Sequence, residues 1–206
     1  MPFGIRYCFS RIFWGFSKLI SKVMLMRFPF FAFYSLFFTA LIVASNYLVQ
    51  FPINNFLTFG ALTYPFTFLL VDILSENYSK KETLKVVRAG IILAFIPSFF
   101  LAEPRIAIAS VCAFFVAQQV DVYSFFWIKN KFPRLWWLRS AGSTAFSQSI
   151  DTLIFFHIAF LFVLPWQSVL LMILGDYAIK LAFGILNTPW FYLFGIKLQK
   201  IFKLGY

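Results

Sequence analysis

Asp121, Asp151 and Asp176 are carboxylates set inside runs of about twenty mostly apolar residues, the length that crosses a hydrocarbon core. Asp72 and Glu76 end another such run. An ionised group at membrane depth is costly even on lenient insertion scales, so it faces a partner, a cavity or a substrate path. Polar neighbours recur at helical spacing around these acids. At about 100° per residue, Ser143, Thr144, Ser147, Gln148, Asp151 and Thr152 share about half of one helix circumference. Asp176, Lys180 and Asn187 fall in an arc of roughly 40° on a later helix. Ser110, Gln118 and Asp121 share a face, and Thr58, Pro65, Asp72 and Glu76 line up on another. Four wet faces are satisfied most simply by pointing at one another. Carboxylates and amides facing a shared interior can bind a polar solute.

Each set also has a plainer reading. Asp176 and Lys180 stand at i,i+4 and can neutralise one another. Asp72 and Glu76 lie near a helix end, where water and the nearby Lys80 and Lys81 can solvate them. Serine and threonine in membrane helices often bond back to a backbone carbonyl, so Ser143, Thr144 and Ser147 carry little weight alone. Asp121 and Asp151 resist such readings, since neither has a basic neighbour at i±4. His157 is well off the Asp151 face and reads as a packed or interfacial side chain.

The elements that must hold these residues are transmembrane helices. With 62% hydrophobic and 12% charged residues and a mean hydropathy of +0.84, the chain does not have the composition of a soluble domain. Six spans are expected, at about 28–49, 57–75, 84–102, 105–128, 143–164 and 167–196, the last broken near Asn187-Thr188-Pro189. The fold class expected is all-α and polytopic, compatible with two inverted three-helix halves. The net charge of +11 is distributed as membrane topology requires, which argues against a nucleic-acid partner. Arg6, Arg11, Lys18, Lys22 and Arg27 precede the first span; Lys80, Lys81, Lys85 and Arg88 follow the second. Lys129, Lys131, Arg134 and Arg139 follow the fourth, and Lys197, Lys200 and Lys203 form the tail. The other side has Arg105 alone. This asymmetry places both termini in the cytoplasm and the chain in the cell (inner) membrane. Residues 1–27 then form a basic amphipathic segment at the interface, not a cleaved signal; 28–196 form the transmembrane domain, and 197–206 a basic tail. Cys8 and Cys112 lie too far apart to suggest a disulfide framework or metal site, and no cofactor is expected.

The polar residues also carry a resemblance. Ser45–Gln50, Tyr64–Asp72 and Glu76-Asn77-Tyr78 resemble the early signature of the queuosine precursor transporters, a vitamin-uptake-transporter-like family. Arg105–Ser110 with Gln118 and Asp121-Val122 is similar to that family's fourth helix. Ser143-Thr144, Ser147-Gln148 and Asp151-Thr152 followed by Ala159-Phe160 are similar to its fifth, and Asp176-Tyr177 with Lys180 and Pro189 to its sixth. The match runs over roughly residues 40–195 in order; Ser79 departs from it, standing where the family commonly has glycine.

The resemblance implies import of 7-deazaguanine precursors of queuosine, either the cyano or aminomethyl base, or queuine. A guanine-type edge presents two adjacent donors that one carboxylate accepts together, while an amide can donate to the ring carbonyl. On that reading Asp151 and Gln148 read the base, Asp121 and Gln118 stand opposite, and Lys180 balances charge through Asp176. Asp72, Ser147, Thr144 and Thr152 complete the expected lining. A cationic aminomethyl substituent would suit Asp72 or Asp121. The alternative is the substrate-binding subunit of an energy-coupling-factor transporter, distinguished by its need for an ATPase module. The chain shows no HExxH, GxSxG or Walker loop, so an enzyme is not expected. A homo-oligomer is compatible with the sequence, which leaves both that state and the coupling ion open.

Overall fold

The structure is a computed structural model that describes residues 26–48, 51–54, 57–101 and 103–198. Most of the basic N-terminal segment, Cys8, Val49 and Gln50 of the early signature, and the tail lysines Lys200 and Lys203 lie outside the described residues.

Helix α1 (Phe28–Leu48) leads into two short antiparallel strands, β1 (Pro52–Asn54) and β2 (Leu57–Thr58), with Pro52 opposite Thr58. A short helix α2 (Phe59–Thr63) is followed at once by α3 (Pro65–Asn77). Four long helices complete the fold: α4 (Lys80–Leu101), α5 (Pro104–Lys131), α6 (Trp136–Phe160) and α7 (Trp166–Trp190). Helix α7 runs on into a π-helical turn, Phe191–Lys197.

Four helical stretches are long and apolar enough to cross a bilayer: Phe28–Leu48, Lys80–Phe100, Pro104–Lys131 and Trp166–Lys197. The two remaining expected spans miss that standard for different reasons. Helix α6 is 25 residues long but carries the polar series from Ser140 to Thr152. Helix α3 has only 13 residues, about 20 Å at 1.5 Å per residue, less than a hydrocarbon core. Tyr64 keeps helical dihedrals (φ −56°, ψ −42°), so α2 and α3 form one interrupted rod from 59 to 77. The interruption falls where Pro65 has no N–H to continue the ladder.

This corrects the expected face of Thr58, Pro65, Asp72 and Glu76, because Thr58 lies on β2 and not on the helix. The expected break at Pro189 is also corrected. The helix passes through Pro189 and changes winding one residue beyond Trp190. Membrane helices absorb a proline through such local adjustments, which re-satisfy the freed carbonyls.

The largest apolar core lies where α1, α3, α4 and α5 meet, around Phe38, Phe68, Val71, Val87, Ile91 and Phe114. Large apolar side chains on the outer surface, among them Phe28, Phe100 and Leu171, stand more than two-thirds exposed, as suits contact with lipid. Helices α5 and α6 pack together most extensively. That packing seats the polar face of α6 against α3, α5 and α7.

Candidate functional site

The polar face of α6 forms the spine of a buried seam with three stations. At the first, Lys180 of α7 donates to Asp151 Oδ2 (2.9 Å), Asp176 Oδ2 (2.7 Å) and Thr152 Oγ1 (3.1 Å). Thr152 in turn donates to Asp176 Oδ2 at 2.8 Å, and the Tyr64 hydroxyl donates to Asp151 Oδ1 at 3.3 Å. Three ammonium protons therefore meet three acceptors, and Asp151 is held on both oxygens. The i,i+4 pair of Asp176 and Lys180 is present, but it is shared with Asp151. Asp151, which has no basic neighbour at i±4, receives one from α7. The Tyr64 ring also lies 5.6 Å from Lys180 Nζ and packs edge-on against Phe114, centroids 4.9 Å apart.

The second station lies one turn further along α6. Gln148, Gln118 and Asp121 are each 0% exposed. Neither amide atom of Gln148 has a hydrogen-bond partner, nor has Gln118 Oε1 or Asp121 Oδ2. Gln118 Nε2 donates to Thr67 Oγ1 at 3.4 Å, and Ser147 donates to Asp121 Oδ1 at 2.9 Å. Gly184 of α7 backs this station: a methyl group added there would lie 3.5 Å from Thr144 Cγ2 and 3.8 Å from Gln148 Oε1. Unsatisfied polar atoms in a native interior call for an explanation, because each forfeits its hydration without return. Four of them lie on the facing helices α5 and α6.

At the third station Asp72 Oδ2 accepts from Ser140 (2.6 Å) and Thr144 (3.3 Å), and Ser143 Oγ stands 3.5 Å from Oδ1. Ser143 points its single proton better at Arg139 O, 2.7 Å away. Beyond it Glu76 pairs with Arg139 (3.0 Å) and Lys129 (3.3 Å). Lys129 also donates to the backbone carbonyls of Ser75 and Glu76, the carboxyl end of α3. Asp72 is thus buried, not solvated, and the partners of Glu76 are Arg139 and Lys129, not Lys80 and Lys81.

The ten sequence-predicted residues divide between these stations. Asp151, Thr152, Asp176 and Lys180 form the first; Gln148, Gln118, Asp121 and Ser147 the second; Asp72 and Thr144 the third. Tyr64, Thr67, Ser140 and Arg139 were missed. Ser140 and Arg139 continue the polar face of α6 by one turn, but placing the start of that span at Ser143 left them in a loop. Tyr64 and Thr67 stood within the segment that resembles the family signature but were given no role of their own. Ser110 does not join the seam. It lines a small cavity with Asn46, Ser98, Tyr64 and Phe114, where Asn46 donates to Ser98 at 2.7 Å. His157 contacts its own helix at Leu153 O (2.6 Å) and the Trp166 ring, away from the seam. Asn187 reaches from α7 to Pro65 O at 3.0 Å, tying the two interrupted helices together.

Apolar helices around a buried, ionisable seam define a multi-pass helical membrane protein with a polar interior. The profile of the family described as "Putative vitamin uptake transporter" matches residues 58–102 and 96–194, and the chain belongs to that family. It is 34% identical to the "Probable queuosine precursor transporter" of Bacillus subtilis (strain 168), over 66% of this chain and 70% of that protein. It is 32% identical to the "Queuosine precursor transporter" of Escherichia coli (strain K12), over 65% of this chain and 68% of that protein. The "Probable queuosine precursor transporter" of Haemophilus influenzae is 31% identical, over 74% and 80% respectively. No solved structure matches the chain significantly.

Proposed function

We propose that this protein imports 7-deazaguanine precursors of queuosine across the cell membrane, acting alone, with six spans and both termini in the cytoplasm. The names of its relatives support the substrate class. The observation that carries the reading is the second station, where Gln148, Gln118 and Asp121 hold unused hydrogen-bonding atoms in full burial.

A glutamine amide offers one donor and one acceptor side by side. The ring carbonyl and N1–H of a deazaguanine present the complementary pair, so Gln148 can hold that edge with two bonds. The amide oxygen of Gln118 can accept from the exocyclic amino group. Phe114, one turn from Gln118, packs with Phe38, Tyr64 and Phe68 into the apolar wall on that side. Asp151, engaged by Lys180 and Tyr64, fixes α6 against α7 and α3 beside that edge. The alternative of an energy-coupling-factor subunit finds no support among the relatives.

The test uses a host lacking both precursor synthesis and its own transporter, supplied with nanomolar base from outside. Queuosine in its tRNA should return on expression of this chain. With Gln148→Ala at equal membrane level it should fall about tenfold or more, the effect of losing one to two buried hydrogen bonds. Failure of the wild-type chain, in a host that inserts the base when given it in excess, would refute the substrate class. A fully active Gln148→Ala would refute the site.

A further inference from the structure

The acids and bases of the seam do not balance, and among the described residues two of the acids have no basic partner at all. Glu76 is matched by Arg139 and Lys129, and Asp151 with Asp176 shares Lys180. Asp72 (2% exposed) and Asp121 (0%) are ion-paired with no lysine or arginine among the described residues; the hydroxyls of Ser140, Ser143, Thr144 and Ser147 are what they bond to instead. The two acids face successive turns of α6, since Asp72 meets Ser140–Thr144 and Asp121 meets Ser147. Two buried carboxylates facing successive turns of one helix disfavour joint ionisation where no fixed cation pairs with either. A hydroxyl can orient such an anion but brings no net charge to it.

The other charged groups around this site are already engaged or distant. Outward lie Tyr64, Asp151, Asp176 and Lys180, bonded to one another. On α4, Glu82 pairs with Lys85 and Arg88 donates to Gln119 of α5. On the π-helical turn, Lys197 is exposed. What remains open at the pair is one oxygen of Asp121, Oδ2, and one neutral acceptor a turn away on the same helix, Gln118 Oε1. A proton on Asp121 Oδ2 converts that open acceptor into a donor.

We infer that Asp72 and Asp121 share one proton, seated at Asp121, and that this seat couples base uptake to inward proton movement. The inference rests on the transport reading above. Buried acids without counter-ions carry protons in many membrane carriers, and here the seat abuts the station proposed to read the base. In the cycle only an O–H bond forms and breaks: the proton is taken up at Oδ2 from outside and released to the cytoplasm with the base.

Infrared titration of the purified protein in sodium-free lipid reads the seat directly. A protonated-carboxyl band should persist to neutral pH, vanish in Asp121→Asn or Asp72→Asn, and survive in Asp176→Asn. Absence of the band, its persistence in both variants, or its loss on adding sodium would overturn the proton seat. In proteoliposomes with the uncharged cyano base, an inward pH gradient of one unit should drive about tenfold accumulation, abolished by a protonophore. Exchange of labelled base without such accumulation would overturn the coupling and leave the transport reading intact. Absence of any exchange would sink the transport reading and the coupling with it, while the infrared band would still establish the seat.

Discussion

Lys180 is the one cation between two carboxylates, so its removal and the removal of either acid are not equivalent. Lys180→Met leaves Asp151 and Asp176 without a counter-charge, and breaking a buried pair in that way costs about 3–5 kcal/mol. Asp151→Asn leaves Lys180 bonded to Asp176 and Thr152, so it should cost much less. Thermal unfolding in detergent should therefore rank wild type above Asp151→Asn and both above Lys180→Met. An unshifted midpoint for Lys180→Met would contradict the knot. The double variant Asp151→Asn/Lys180→Met should recover part of the loss, because it removes an orphaned charge along with its partner. The acids of this knot and their spacing were legible in the chain, since an intramembrane carboxylate announces itself by type. The pairing across helices was not. Lys180 lies within i,i+4 of Asp176 alone, and only the packing of α7 on α6 brings Asp151 to the same ammonium. Tyr64 was hidden for a related reason, because a tyrosine among many aromatics carries no mark of the carboxylate it will meet.

Helix contacts set the distances on which such pairings depend, and Gly90 governs one of them. A methyl group at Gly90 of α4 would lie 2.5 Å from Phe38 Cδ1 and 3.3 Å from Ser35 O of α1. Phe38 is fully buried and stacked near Phe114, so its ring has nowhere to retreat. Small residues at membrane-helix contacts let backbones approach in this way, and here Thr39 Oγ1, whose proton lies best toward Ser35 O at 2.8 Å, comes within 3.2 Å of Gly90 O. Gly90→Ala should destabilise by about 1–3 kcal/mol, the usual cost of overpacking. Gly175→Ala is the matched comparison: nothing lies within 4 Å of the added methyl, and helix propensity favours alanine by about 1 kcal/mol. Unfolding midpoints moving in opposite directions would support this view of the α1–α4 contact, whereas equal shifts would refute it. Apolar run length placed α1, α4 and α5 well because each is a plain hydrophobic stretch. It placed the start of α6 late, at Ser143 and not Trp136, because the polar residues there serve the interior and an apolar window underestimates the helix. The π-helical turn left no trace in periodicity, and its place shows only in contacts: Gly195 sits against Phe191 and Ile73, and Asn77 reaches Gly195 O at 3.4 Å.

Across the whole molecule the basic residues gather at one end of the bundle. Lys80 Nζ lies 3.8 Å from the Tyr123 ring centroid, Lys131 lies over Trp127, and Arg139 and Lys129 converge on Glu76. At the opposite end Arg105 donates to Ile158 O and Leu161 O, closing the carboxyl end of α6. The sequence showed this segregation as a count of loops, and the fold converts it into geometry, since the ends of α3 and α5 and the starts of α4 and α6 share one rim. Lysine and arginine are retained on the cytoplasmic side during insertion, so that rim should face the cytoplasm. On that orientation the seam runs from the Lys180 cluster on the outer half, through Gln148 and Asp121, to Glu76 at the inner rim, the order in which the proposed import would meet the stations. A fluorescent protein fused at the C-terminus should fold and fluoresce, while alkaline phosphatase at the same site should be inactive. Fused after residue 103, between α4 and α5, the two reporters should exchange behaviour. A C-terminal phosphatase that is active would invert the bundle, and the seam would then read as a path outward.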